Sequence, residues 1–158
     1  LGLRGQLAEA SKRRAAEARA LEKRLAAQKE GRDLPLERIA VVGACASGKS
    51  ALVDALRENG FNARAIAQEH SQVPTMWLMS NPSHLIYLEV DLENIKRRRQ
   101  ISWGQAYLDE EYRRLAHARQ NADLIIDTNN TTLDAVVEKA IQFLQNALYK
   151  PEDANNGS

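Results

Sequence analysis

A chain of 158 residues with 44% apolar and 27% charged residues has the size and composition of one globular domain with its own core and is too short for two full-sized ones. Its 22 Lys and Arg nearly balance its 21 Asp and Glu, so bulk charge does not make it a polyanion binder and any basic surface is local. The one cysteine, Cys45, forms no internal disulfide and is expected to supply no metal cluster, and the longest apolar run, residues 39–46, falls far short of the roughly 18 residues that cross a bilayer. These features predict a cytoplasmic protein with no membrane-spanning segment.

In chain order, residues 1–31 predict an N-terminal helical extension, rich in Ala, Leu, Glu, Lys and Arg and closed by Gly31. Leu7, Ala18, Leu21 and Leu25 form a thin apolar stripe, but Ser11 and Arg14 fall on the same seam and break a strict heptad. Residues 1–30 hold eight basic and four acidic side chains, a net +4 that leaves the remainder at −3. Two readings stay open: a solvated helix that packs its stripe on the domain, a sister chain or a partner protein, and a basic arm for an anionic partner. Nucleic acid is the weaker partner, because the arm lacks interleaved aromatics for base stacking.

After a linker punctuated by Pro35, residues 32–150 alternate short apolar runs with helical patterns, which predicts an α/β fold with a mostly parallel sheet of four to five strands. The strands are expected at 39–42, 61–67, 85–90 and 124–126. The helices are expected at 49–59, 92–100, 105–120 and 131–148, with a short one over 73–79. The tail, residues 151–158, reads as disordered.

Directly after the first strand stands Gly43-Ala44-Cys45-Ala46-Ser47-Gly48-Lys49-Ser50, which satisfies G-x-x-x-x-G-K-S/T and opens at Ala51 into a helix. The residue types suit one task. Glycines let a loop wrap closely around phosphate oxygens, successive backbone N–H groups and the helix N-terminus supply positive potential, Lys49 neutralises β and γ phosphates, and the Ser50 hydroxyl suits Mg²⁺.

On this loop the chain resembles the small P-loop kinases of the nucleoside-monophosphate kinase and shikimate kinase type, over about residues 38–148. Leu85 to Val90 followed by Asp91 to Arg99 is similar to that family's late strand, following helix and lid arginines. Tyr112 to Thr128 looks like the helix after the lid and the last strand. The resemblance implies a three-layer P-loop fold that binds ATP with Mg²⁺ and transfers the γ-phosphoryl group to a small-molecule acceptor. Two departures stand out. Ala46 occupies a position where many of these kinases have a further glycine. Only about 17 residues separate the second strand from Leu85, so the sheet is expected to lack one strand of the family pattern.

Gln68-Glu69-His70-Ser71 follows the second strand at the carboxyl edge, where open parallel sheets bind ligands. With the intervening strand missing, the second strand can lie beside the first and bring Glu69 near Ser50, to hold a magnesium-bound water or to accept a proton from an acceptor hydroxyl. Alternatively, Glu69 and His70 are turn residues, and a lone His70 has no partner spacing for a metal site. Arg97, within the run Lys96 to Arg99, and Arg113 are the candidates to cover a transferring phosphoryl group; the competing role is to face water at helix ends. Trp77 and Trp103 suit either core packing or a pocket wall and lid. Asn129 suits either a contact to adenine or the cap of the last helix. Cys45, near a helix N-terminus, is expected to have a lowered pKa if it serves in oxidative control, and otherwise is a small loop residue. The competing function is a nucleotide-binding regulatory or assembly module whose N-terminal helix mediates oligomerisation or partner binding.

Overall fold

The computed structural model describes residues 37–148 together with Glu22, so the expected N-terminal helix and the tail lie outside the described residues apart from that one position. Four strands, β1 (Ile39–Gly43), β2 (Ala63–Ala65), β3 (His84–Glu89) and β4 (Leu124–Asp127), form one parallel sheet in the order β2-β1-β3-β4. Among the described residues four α-helices of this unit accompany them: α1 (Lys49–Glu58), α2 (Leu92–Arg98), α3 (Gln105–Gln120) and α4 (Leu133–Leu148). Every residue of β1 is buried, as in a central strand covered on both faces, which explains why its sequence is a continuous apolar run instead of an alternation.

Side chains alternate across β1 and divide the core into two layers. Ile39 and Val41 pack with Leu52 and Leu56 of α1 and with Val136, Ala140 and Leu144 of α4. Ala40 and Val42 face Ile95 of α2 and Leu108, Leu115 and Ala118 of α3. The sheet is thus the middle of three layers. Among the described residues, no helix is long and apolar enough to cross a membrane.

The expected strand over 61–67 contracts to three residues. Gly60, at φ 89°, ends α1 in a left-handed turn that returns the Phe61 N–H to Leu56 O and buries the Phe61 ring. Ladder hydrogen bonds from Ile39 N to Asn62 O and from Ile66 N to Val41 O flank the strand, after which the chain coils into a 3₁₀ turn at Gln68–His70. β2 pairs directly with β1, with Ala63 opposite Ile39, so no strand intervenes. The short helix expected over 73–79 is a 3₁₀ segment at Met76–Ser80. The last helix starts two residues later than expected, because Thr132 caps it through Oγ1 to the Ala135 N–H. Asp91 caps α2 in the same manner, and the Asn94 backbone N–H holds its carboxyl below the ordinary carboxylate range.

Candidate functional site

The loop between β1 and α1 is shaped by three backbone demands. A Cβ on Gly43 would stand 2.7 Å from Ser47 Oγ and 2.9 Å from the Leu88 carbonyl oxygen of β3, so no side chain fits there. Gly48 sits at φ 97° and Ala46 at φ 63°, both in the left-handed region. At Ala46 that conformation costs about 1–2 kcal/mol, a strain a glycine would escape. The N-terminus of α1 has neither a side-chain cap nor an acidic residue in its first turn. It opens into a cleft of ≈ 740 Å³ lined by Ala46 to Ala51, by Asp54, Ala55 and Glu58 farther along α1, by Asn59 at its end, and by Arg99, Leu133, Asp134 and Val137.

Beneath the loop lies a cluster of charged and polar groups. Lys49 Nζ donates to Gly43 O at 2.7 Å and Ala44 O at 3.3 Å, and pairs with the Glu69 carboxylate. Glu69 arrives there because β2 is the immediate neighbour of β1 and the 3₁₀ turn follows at its carboxyl end. The turn is anchored by buried Gln68, which donates to Val73 O at 2.8 Å and accepts the Trp77 N–H at 2.8 Å. Arg114 of α3 donates to the Glu69 carbonyl at 3.2 Å. Glu111, also on α3 and only 1% exposed, accepts the Cys45 N–H at 3.0 Å. Cys45 Sγ lies 3.1 Å from His70 Nε2, and His70 Nδ1 lies 3.9 Å from Glu111 Oε2. Three buried oxygens here, Ser47 Oγ, Glu69 Oε1 and Glu111 Oε2, have no hydrogen-bond partner.

The expectation of a lowered Cys45 pKa is corrected by this environment. Burial pushes the thiol up from its ordinary 9.0 to about 11, helped by the hydrogen bond and negative charge of Glu111 and by Glu69, with Lys49 opposing. The neutral thiol therefore persists through physiological pH, and at pH 8 its thiolate fraction is about a hundredfold below that of an ordinary cysteine. Alkylation by iodoacetamide is expected to be slower by about that factor in folded than in urea-unfolded protein, and to rise about tenfold per pH unit up to pH 10. Equal folded and unfolded rates at pH 8 would contradict the assignment.

Of the other expected site residues, Ser50 is exposed in the cleft, and Glu69 is engaged by Lys49. Arg97 and Arg113 are drawn to glutamates on their own helices, Glu93 at 2.7 Å and Glu110 at 2.6 Å, with both arginines mostly exposed. Their neighbours make other contacts: exposed Arg99 lines the cleft, exposed Arg98 donates to the Thr128 carbonyl oxygen, and half-buried Arg114 reaches Glu69 O. Asn129 neither caps α4 nor stands free, since its Oδ1 accepts the Asp91 N–H at 3.0 Å and ties the end of β4 to the start of α2. Trp77 is core, buried beside His117, to which its indole N–H donates at 3.1 Å. Trp103 packs against Tyr107 with ring centroids 5.0 Å apart.

Glu111 is the residue that sequence reasoning passed over. Its signal lay in the stripe Leu108, Glu111, Leu115, Ala118, where a carboxylate takes a core position at helical spacing. A comparison with protein-family models finds no match to this chain, and a comparison with curated proteins finds none either.

Proposed function

We propose that the chain binds a nucleoside triphosphate with Mg²⁺ on the 43–50 loop and transfers the γ-phosphoryl group to a small-molecule acceptor, the activity of a small P-loop kinase. The observation that carries this reading is the uncapped N-terminus of α1, preceded by a loop with no room for a side chain at Gly43 and opening on the ≈ 740 Å³ cleft with Lys49 and Ser50 in its wall. A polyphosphate suits the residues present. The first turn of α1 holds no acidic residue, and buried Ser47 Oγ still has hydrogen-bonding capacity unused, although the Cys45 N–H of the loop is taken by Glu111.

In this reading Lys49 and the amides at residues 46–51 hold the phosphates, Ser50 takes the magnesium, and Arg99 lies along the cleft. The magnesium supplies charge neutralisation on the phosphate oxygens when bound. An incoming polyphosphate competes with Glu69 for Lys49, and a Glu69 carboxylate released from that pair is able to accept the proton of an acceptor hydroxyl. A second reading, a nucleotide-binding regulatory module without transfer, is favoured by the outward pairing of Arg97 and Arg113, which removes two cations from the acceptor side.

Calorimetric titration of the folded protein with ATP and Mg²⁺ is expected to give saturable heat. Removing the Lys49 ammonium takes away charge-assisted hydrogen bonds of about 1.5–3 kcal/mol, so Lys49→Ala, held below its own melting transition, should bind about 10- to 150-fold more weakly. No heat from folded wild-type protein at millimolar nucleotide ends both readings. Phosphate transfer that rises with an added hydroxyl or phosphate acceptor separates the kinase from the module.

A further inference from the structure

Cys45, Glu69 and His70 come from two segments, the loop after β1 and the 3₁₀ turn after β2, yet each offers a ligand atom and all three atoms lie within 4.8 Å of one another. We infer that these three side chains form a site for a zinc-class divalent cation, with solvent in the fourth position. The inference uses the metal alone and does not rest on the nucleotide reading.

The donor set selects the ion. Thiolate, imidazole and carboxylate together suit Zn²⁺ and Co²⁺, whereas Mg²⁺ and Ca²⁺ take oxygen ligands. Four-coordinate zinc bonds of about 2.0–2.3 Å put neighbouring ligand atoms about 3.3–3.6 Å apart. Here the Cys45 Sγ to His70 Nε2 distance is 3.1 Å and the His70 Nε2 to Glu69 Oε2 distance is 4.0 Å, on either side of that range, and all three ligand atoms lie within 4.8 Å of one another. Binding requires the Glu69 carboxylate to turn toward Sγ and Nε2.

Two further observations point to a cation. The Glu69 side chain is only 4% exposed, and while its Oε2 meets Lys49, its Oε1 has no partner, so the carboxylate is able to bridge the ammonium and a metal. Glu111 Oε2 is equally unpartnered and buried, and faces His70 Nδ1 at 3.9 Å. A carboxylate behind the far ring nitrogen favours the tautomer whose Nε2 lone pair points at Cys45, the arrangement that supports metal-bound histidines elsewhere. The half-exposed His70 ring leaves a route in from solvent. Coordination forms the metal–sulfur bond as the thiol proton passes to buffer, and the thiolate and Glu69 charges then balance a divalent ion.

The test is titration of the reduced, full-length protein with Co²⁺, followed by displacement with Zn²⁺. Because Cys45 is the chain's one cysteine, a thiolate-to-cobalt charge-transfer band reports this loop alone. The expected result is one Co²⁺ per chain with that band and intense visible bands of a four-coordinate ion, all lost on adding Zn²⁺. Cys45→Ser is expected to abolish the charge-transfer band. His70→Ala should weaken binding by more than about 100-fold, beyond the range seen for partners that merely orient a ligand. His84→Ala, at the start of β3 and away from the cluster, should leave it unchanged. The inference is overturned if folded wild-type protein shows no thiolate band at saturating Co²⁺, or if His70→Ala, folded by its melting curve, binds Co²⁺ with unchanged affinity.

Discussion

Lys49→Ala is expected to lower the unfolding free energy by about 3–5 kcal/mol, the range for breaking a buried ion pair by removing one partner. The side chains of Lys49 and Glu69 are 12% and 4% exposed, so the carboxylate left behind has little access to water. Arg114 offers no replacement, because it donates to the Glu69 backbone carbonyl. Lys49 also supplies a donor at 2.7 Å to Gly43 O, which the alanine withdraws. Glu69→Gln is expected to cost less, since Lys49 keeps its two loop carbonyls. Combining Lys49→Ala with Glu69→Gln should recover much of the loss, with a coupling of about 2 kcal/mol in a double-mutant cycle measured by urea unfolding. Effects that add to within about 0.5 kcal/mol would show that the two groups do not act as a pair.

Gly43→Ala is the second large expected effect, a loss of about 2–3 kcal/mol, the upper part of the range for overpacking. The new methyl would meet Ser47 Oγ at 2.7 Å, and that side chain can rotate. It would also meet Leu88 O at 2.9 Å, which cannot move independently because it belongs to β3, paired in register with β1 and buried in the middle of the sheet. Relief therefore requires the end of β1 to shift away from β3, carrying the 44–48 loop with it. Urea unfolding measures the stability, and nucleotide calorimetry on the still-folded fraction should show weakened binding as the loop is displaced. A variant as stable as wild type would mean that the strand end has slack the packing does not suggest.

Local chemistry accounts for what was legible in the chain. The helix over 105–120 occurs with the bounds its periodicity predicts, and the strand–loop–helix around residues 39–58 follows the expected order. The signals for both lie within a few residues of one another: apolar spacing for α3, and glycines at a close approach and a left-handed turn for the loop. The short stretch between β2 and β3 was also legible: it holds only 3₁₀ segments, and β2 lies beside β1 as expected. Arg97 and Arg113 were less legible. In runs of basic residues the helix phase and the nearby glutamates decide which partner each side chain finds, and here Arg98 reaches Thr128, Arg99 the cleft and Arg114 the Glu69 carbonyl.

The residue order by itself determined a parallel α/β arrangement and a glycine-bounded loop feeding a helix, since backbone sterics and hydrophobic period act over short stretches. The sequence brought Glu69 toward Ser50, but only the folded chain decided that Glu69 pairs with Lys49 across 20 positions, that His70 meets Cys45 across 25, and that Glu111 reaches back 66 positions to the Cys45 amide. Those meetings depend on which strands and helices pack side by side. That choice minimises exposed apolar surface over the whole domain, and no local run of residues encodes it.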